Sequence, residues 1–352
     1  MTKTGMKYKV LFLDSNAKQM SIDVLKKIKS FVDAGAIVAG IKPERPTGLK
    51  DNNALFYQLV NKIWSPAHQN ISTGKKVQEV LTQAGVSSDF SFNDSNAKIM
   101  YVHRKLKDKD IYWVNNRKNE AQKLEIVFRV IGKEVELWHP ETGKIEKANY
   151  AFVGNKTKVT IDFTPNDAVF VVFGKKTTQT TYTKPIELEN RLIRLAGGWE
   201  VNFQKERGAP ESITMDELKS LTENENTGVK YFSGTATYTQ YFDVPQHWLN
   251  NYKGFILDLG IVKEMAEVII NGQSIGVAWK TPYQLEINNA LRAGSNKIEV
   301  KVTNLWVNRL IGDAQPEEKN KITYTTMPFY QANSTLLPSG LIGPVILNAV
   351  KK

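Results

Sequence analysis

Phe232-Ser-Gly-Thr-Ala-Thr-Tyr-Thr-Gln-Tyr-Phe-Asp-Val-Pro245 is the stretch on which the fold turns. Residues 235–242 read as a half-buried strand, and Pro245, which has no amide to donate, marks its end. Similar runs recur at 254–259, 268–270, 284–287 and 297–302. Asn271-Gly272 and Gly294-Ser295-Asn296 supply turns between them. Residues 186–352 are therefore predicted to form a jelly-roll β-sandwich with a core of its own. Trp199 alternates with Val201 and Phe203 and is assigned to that core.

Upstream, the Thr-rich residues 177–183, followed by Pro185, read as a linker. In the preceding region, 97–185, the alternating run 124–131 is followed by Gly132-Lys133 and a second run, 134–138, which predicts a hairpin. Residues 158–163 and 168–173 flank a Pro165-Asn166-Asp167 turn. Short strands at this spacing predict a small β-sandwich. Residues 1–96 have a different period. Residues 8–13 (YKVLFL) read as a strand, Ile22, Leu25, Ile28 and Val32 fall at helical spacing behind an N-cap at Ser21, and Gly35 stands at the C′ position. Residues 36–39 (AIVA) follow as a second strand. Strand, helix, strand is a βαβ unit and predicts a parallel sheet. Leu55, Leu59 and Ile63 mark a second helix; Val77, Val80, Leu81 and Ala84 mark a third. The expected fold class is α/β plus all-β: a small parallel α/β domain (1–96), a β-sandwich (97–185) and a jelly-roll β-sandwich (186–352).

Hydrophobic residues make up 41% of the chain and charged residues 24%, which excludes a disordered or fibrous protein. No apolar run approaches the ~18 residues of a membrane-spanning helix, so no membrane partner is expected. The short apolar run that ends at Asp14 does not have the form of a secretory signal. With no cysteine, disulfides, thiolate metal sites and cysteine nucleophiles drop out. The net charge of +11 admits an anionic partner. The cations are scattered, however, and lysine dominates over arginine, so nucleic acid is not the expected partner.

Candidate chemistry is sparse. The turn after the first strand is Asp14-Ser15-Asn16-Ala17, with no glycine and an acid where a phosphate would sit, so no nucleotide cofactor is expected. His68, His103, His139 and His247 show no ligand spacing, and no metal is expected. No Gly-x-Ser-x-Gly elbow occurs. Glu264 with Glu267, and Glu200 with Glu206, are read as solvated carboxylates rather than a catalytic pair, so no catalytic residue is assigned. The aromatic residues are more informative, since sugar C–H faces pack on rings while polar groups take the hydroxyls. Two segments combine the two: 279–283 (WKTPY), with Trp279 and Tyr283, and 304–313 (NLWVNRLIGD), with Trp306, Asn308, Arg309 and Asp313. These six residues are candidates for carbohydrate binding or for an interdomain contact, and core burial of Trp306 is a third possibility. Residues 306–313 follow the last regular strand and are expected on a loop, stiffened by pairing of Arg309 with Asp313.

These pieces carry a resemblance. Residues 186–310 resemble the galactose-binding-like, sugar-binding jelly roll of β-galactosidase-type glycoside hydrolases. The matching stretches are Leu195-Ala-Gly-Gly-Trp-Glu-Val-Asn-Phe203, read as an opening strand, the Phe232–Pro245 stretch, Leu257-Asp-Leu-Gly260, Val268-Ile-Ile-Asn-Gly272 and Leu291-Arg-Ala-Gly-Ser-Asn-Lys-Ile-Glu-Val-Lys-Val302. Asn304-Leu-Trp-Val-Asn-Arg-Leu-Ile-Gly-Asp313 and Pro338-Ser-Gly-Leu-Ile-Gly-Pro344 are similar to the C-terminal part of family 106 glycoside hydrolases, the α-L-rhamnosidases of Bacteroides-like bacteria. Tyr101-Val-His-Arg104 and Ile111-Tyr-Trp-Val-Asn115 fit that family's middle sandwich, and residues 8–43 its flavodoxin- or amidotransferase-like insert.

The resemblance implies that the catalytic glutamates and a calcium site belong to a (β/α)₈ barrel, which takes ~250 residues and which 1–96 cannot supply. The chain is then expected to be the non-catalytic C-terminal portion of such an enzyme, with no catalytic residue, cofactor or metal of its own. Its implied partners are the barrel missing here and, for the parent enzyme, a rhamnose-containing plant glycan. The parent is expected in the periplasm or at the cell surface. An independent carbohydrate-binding module and a self-contained glycoside hydrolase are the alternatives.

Overall fold

The computed structural model describes residue 5 and residues 7–48, 52–185 and 188–352. The N-terminal tetrapeptide and the start of the expected third domain at residue 186 lie outside them. By contact density the chain divides into two units: residues 1–93, 125–132 and 151–159 form one, and 94–124, 133–150 and 160–352 form the other.

The first unit holds a three-stranded parallel sheet in the order Val10–Leu13, Ile37–Gly40, Ile71–Thr73. The helix Ile22–Asp33 connects the first two strands. Ser21 caps it by accepting from the Val24 amide at 3.4 Å, and Leu25, Ile28 and Val32 turn inward. In the helix Asn53–Ile63 the inward face is Phe56, Val60 and Ile63, one residue on from the expected Leu55 and Leu59. The Asn52 side chain, accepting from the Leu55 amide, sets where this helix starts and so which residues face in. The strand Ile71–Thr73 had no signal in the sequence; it is three residues long and only partly buried.

Two five-stranded sheets follow. One runs Thr181–Tyr182, Asn149–Val153, Lys156–Phe163, Gln122–Phe128, Phe90–Phe92; the other runs Ile99–Lys105, Asp110–Asn116, Ala168–Lys176, Lys133–Trp138, Ile145–Lys147. The expected hairpin of 124–131 with 134–138 does not form, because its two strands lie in different sheets. The same is true of 158–163 and 168–173. In each case the connection is an arch that carries the chain between sheets. Residues 129–132 make the first arch, with Val130 buried and its carbonyl accepting from Thr157 Oγ1 at 2.6 Å. At the second, Asp167 accepts from the Thr164 and Ala168 amides, both at 2.9 Å. Alternation shows that each strand has one buried face, but not which neighbour it pairs with. The expected linker contributes the short strand Thr181–Tyr182.

The rest of the second unit is a jelly roll. Its larger sheet runs Ser212–Met215, Trp199–Phe203, Thr235–Val244, Gly294–Thr303, Met265–Ile270, Gln273–Ala278, and its smaller one Glu189–Leu195, Val345–Lys351, Tyr252–Asp258, Gln284–Glu286. The longest pairing runs in unbroken register from Thr235 opposite Thr303 to Val244 opposite Gly294. Asn271 (φ 52°) and Gly272 (φ 81°) are both left-handed, as a type I′ hairpin requires. The expected opening strand 195–203 is two strands instead. Gly197 and Gly198, also left-handed, break it and pass the chain from the smaller sheet to the larger. Trp199, Val201, Tyr238, Leu257, Val300 and Leu347 lie in one buried cluster between the sheets.

Within this unit Lys280 ties the jelly roll to the 141–167 region. Its ammonium lies 2.9 Å from Asp167 Oδ1, 2.7 Å from Glu141 Oε1 and 3.0 Å from Thr164 Oγ1. Burial alone pushes the Asp167 carboxyl up, but the hydrogen bonds from Lys280 and the Thr164 amide outweigh it and hold the group below its ordinary value. A carboxyl made more acidic by folding adds stability above its unfolded pKa and loses it as pH falls through its folded pKa. Lys280→Met is therefore expected to move the acid-unfolding midpoint of the protein to higher pH, followed by circular dichroism. An unmoved midpoint would show that the cluster adds nothing to acid stability.

Candidate functional site

The segment after strand Gly294–Thr303 is not a loop. Residues Val307–Asp313 form a helix, with Trp306 at its N-terminal cap and Asn308, Arg309, Ile311, Gly312 and Asp313 buried. Arg309 and Asp313 are four residues apart, a helical spacing legible in the sequence. The order Arg before Asp is the less favourable one for a helix, however, so tertiary partners decide the conformation.

Those partners are a set of hydrogen bonds, most of them to backbone groups, made by four polar side chains. Asn304 accepts from the Gly234 amide (2.8 Å) and donates to the Phe232 carbonyl (2.8 Å) and to Ser339 Oγ (2.6 Å). Ser233 Oγ donates to the Leu305 carbonyl (2.8 Å) and accepts from the Arg309 amide (3.1 Å). Asn308 makes a reciprocal pair with Leu337, donating to its carbonyl (2.8 Å) and accepting from its amide (2.9 Å). Asp313 Oδ1 lies 2.8 Å from Arg309 Nη2, while Oδ2 accepts from the Ile322 amide (3.0 Å), the Thr323 amide (2.6 Å) and the Thr323 hydroxyl (2.6 Å). Glu318 stands 3.7 Å from the same guanidinium nitrogen. Gly312 is required here, since a Cβ would lie 2.7 Å from Tyr231 Cβ and 2.8 Å from Arg309 Nη2.

The six candidate residues thus separate. Asn308, Arg309 and Asp313 are buried and fasten residues 314–339, which contain no helix or strand. Trp306 is 46% exposed, with the Arg207 guanidinium 4.8 Å from its ring centre. Trp279 is 54% exposed and precedes Lys280, whose partners all lie in residues 141–167. Tyr283 is in the jelly-roll core; burial first, and the nearby Glu264 charge second, push its hydroxyl up.

Sequence reasoning missed residues 321–330. Tyr324 (87%), Met327 (76%) and Phe329 (80%) are among the most exposed large apolar side chains described. They stand opposite Leu310 and Asp313 across a cleft of about 310 Å³. The signal present in the sequence was a Met-Pro-Phe-Tyr run between polar residues, with no periodicity to mark it.

Two further carboxylates, the buried Asp110 and the half-buried Glu146, are bound to cations. Asp110 lies 2.9 Å from Lys133 and 3.2 Å from His103, which stacks on Tyr112 at 4.0 Å; Glu146 lies 2.6 Å from Lys184 and 3.3 Å from His139. Burial pushes both carboxyls up, but Lys133 and Lys184 outweigh it and hold them below their ordinary values. A general acid for glycoside cleavage needs the opposite displacement. Of the four glutamates weighed above, Glu267 pairs with Lys301 at 3.5 Å and Glu200 accepts from Asn202 at 3.2 Å, while Glu206 is exposed. In the turn after the first strand, Asp14 itself accepts from the Asn16 amide (2.7 Å), using a donor that a phosphate would need. Among the described residues no group of three or more His, Asp or Glu side chains could hold a metal ion.

Comparison with known proteins adds the following. Residues 1–152 match the sequence model of the α-L-rhamnosidase glycoside hydrolase family, and residues 215–333 that of the galactose-binding-like domain of glycosyl hydrolase family 2. A solved rhamnosidase from Novosphingobium sp. PP1Y superposes with a TM-score of 0.88 at 38% identity, covering 99% of this chain and 34% of that one. A curated protein of Formosa agariphila, named provisionally as a β-glucuronidase, is 40% identical over 181 residues, covering 45% of this chain and 16% of its own length. The chain thus resembles the rhamnosidase-type glycoside hydrolases, is similar over residues 215–333 to a galactose-binding-like domain, and spans about a third or less of the length of these relatives.

Replacing Asp313 by Asn would leave the Arg309 guanidinium buried with only Glu318 nearby. Removing one partner of a buried pair costs about 3–5 kcal/mol, and the low end is expected here because Glu318 remains. Asp313→Asn should lower thermal stability and open residues 314–339 to limited proteolysis. Unchanged cleavage in that segment would mean that Asp313 does not fasten it.

Proposed function

We propose that this chain is the non-catalytic, C-terminal portion of an α-L-rhamnosidase-like glycoside hydrolase, supporting the catalytic portion and displaying residues 305–337 toward it or its substrate. The observation that carries this is the superposition of almost the whole chain on about a third of a rhamnosidase. The lysine-bound state of Asp110, Glu146 and Asp167 supports it, since each carboxyl is held below its ordinary value rather than raised as in a proton donor. On this reading residues 1–96, 97–185 and 186–352 are three accessory domains, and the parallel βαβ element is the flavodoxin-like one. The parent enzyme would act on a rhamnose-containing plant glycan in the periplasm or at the cell surface.

The isolated chain is expected to release no nitrophenol from p-nitrophenyl α-L-rhamnoside. Turnover abolished by a single Glu→Gln change within the chain would establish the self-contained hydrolase instead. A carbohydrate-binding module that works alone is the remaining alternative.

Trp306 gives a second test. Leu305 (49%), Trp306 and Leu337 (40%) are exposed on a base that the hydrogen bonds above hold still. Truncating an aromatic anchor of an interface typically costs at least ~2 kcal/mol, roughly thirtyfold in affinity. Trp306→Ala should leave the isolated chain folded and weaken its association with the catalytic portion by about that factor. Wild-type association by calorimetry would remove Trp306 from the interface.

A further inference from the structure

We propose that the cleft between helix Val307–Asp313 and residues 321–330 is a binding subsite for an acidic glycan, one whose sugar carries a carboxylate. The proposal rests on the chain's being part of a glycan-active enzyme, but not on where catalysis occurs. Three features of the cleft carry it.

The first is its preparation. A ligand site gains affinity when its walls are ordered before binding. Here Asp313 Oδ2 holds Ile322 and Thr323 by three hydrogen bonds, so the far wall is fixed to the helix. Gln315 Nε2 donates to the carbonyls of Ile311 (3.1 Å) and Ala332 (3.0 Å), closing the other end of the segment. Thr325 Oγ1 donates to the Met327 carbonyl (3.0 Å) and accepts from its amide (3.3 Å), shaping the turn before Pro328. A 26-residue stretch without helix or strand is held at several points, and its exposed rings are displayed from a fixed base.

The second is the rings. Tyr324 and Phe329 are both more than three-quarters exposed, and Phe329 meets Tyr330 edge-on, with centres 5.2 Å apart and planes at 77°. Two ring faces at a right angle offer flat apolar surface to a sugar's C–H face, with the Tyr330 side chain carrying a hydroxyl beside it. A cleft of about 310 Å³ lies at the small end of the ~300–1,000 Å³ range of ligand sites. That is room for sugar rings rather than for a helix or strand of another protein.

The third is charge. Lys321 lines the cleft and is exposed, and no ion pair or hydrogen bond of its ammonium occurs among the described residues. Lys280, Lys133 and Lys184 are by contrast each bound to carboxylates. The Asp313 carboxylate at the floor is already committed to Arg309 and Thr323. The cation available to a ligand therefore favours a carboxylate-bearing sugar over a neutral one.

The test titrates the full chain, by calorimetry, with a trisaccharide of galacturonic acid and with the same trisaccharide carboxyl-reduced to galactose. The acidic sugar is expected to bind with a Kd of about 1 mM or tighter, and the neutral one more weakly. Lys321→Gln should weaken the acidic sugar by about threefold to fivefold and leave the neutral one unchanged. Phe329→Ala should weaken both by about fivefold. Both side chains are exposed, so the variants should keep the wild-type circular dichroism and melting temperature. Equal binding of the two sugars, binding indifferent to both substitutions, or no binding at all would overturn the proposal. So would Phe329→Ala impairing association with the catalytic portion while no sugar binds, since the surface would then be a protein contact. Turnover of the aryl rhamnoside bears on the function proposed above and leaves these outcomes unaffected.

Discussion

The buried pair of Arg309 and Asp313 is the contact on which the functional end of the jelly roll depends. One carboxylate oxygen meets the guanidinium and the other takes three donors from Ile322 and Thr323. A buried charge pair costs less when further hydrogen bonds reach its oxygens and protons. Here those bonds reach Asp313 Oδ2 and recruit a distant segment of chain, while Arg309 Nε has no hydrogen-bond partner among the described residues. The same helix supplies Asn308, whose amide closes on Leu337, and the residue before the helix is the half-exposed Trp306. The polar residues of 304–313 thus act as fasteners, and the apolar residues around them are what they display.

This division explains why the sequence disclosed the fold more readily than the site. The strands 235–242 and 297–302, the Asn271-Gly272 turn and the Ser21 cap depend on local chemistry, and local chemistry can be read from a few adjacent residues. The predicted hairpins at Gly132 and at Pro165-Asn166-Asp167 failed because alternation constrains a strand's faces but not its neighbours. Arches through Val130 and Asp167 resemble hairpin turns until the partner strand is known. Likewise, Arg309 and Asp313 were read as a mutual pair, and they are one. Their further bonds to Thr323, however, join residues ten apart through a segment with no period to reveal it.

The candidate site was legible in type more than in place. Trp306 was singled out for its setting among amide, guanidinium and carboxylate groups, and the structure leaves nearly half of its surface open with Arg207 over one face. Tyr283 shared that kind of setting but is a core residue, because its segment turns inward after Pro282. Tyr324, Met327 and Phe329 were passed over, since an aromatic residue in a loop carries no sign of whether it will be covered. The carboxylates tell a consistent story across the second unit. Asp110, Glu146 and Asp167 are each drawn to a lysine and held ionised, an arrangement suited to joining strands and sheets rather than to moving protons.

The central claim is that residues 314–339, though irregular, are ordered by the Asp313 carboxylate. Amide hydrogen exchange tests it most directly, because the two amides that Asp313 accepts from can be followed one by one. The Ile322 and Thr323 amides are predicted to exchange slowly, at rates near those of the strand Gly294–Thr303, while the amides of Tyr324, Thr326, Phe329 and Tyr330 exchange quickly. If Ile322 and Thr323 exchange as fast as the residues at the tip, the segment is not fastened and the account of the site is wrong.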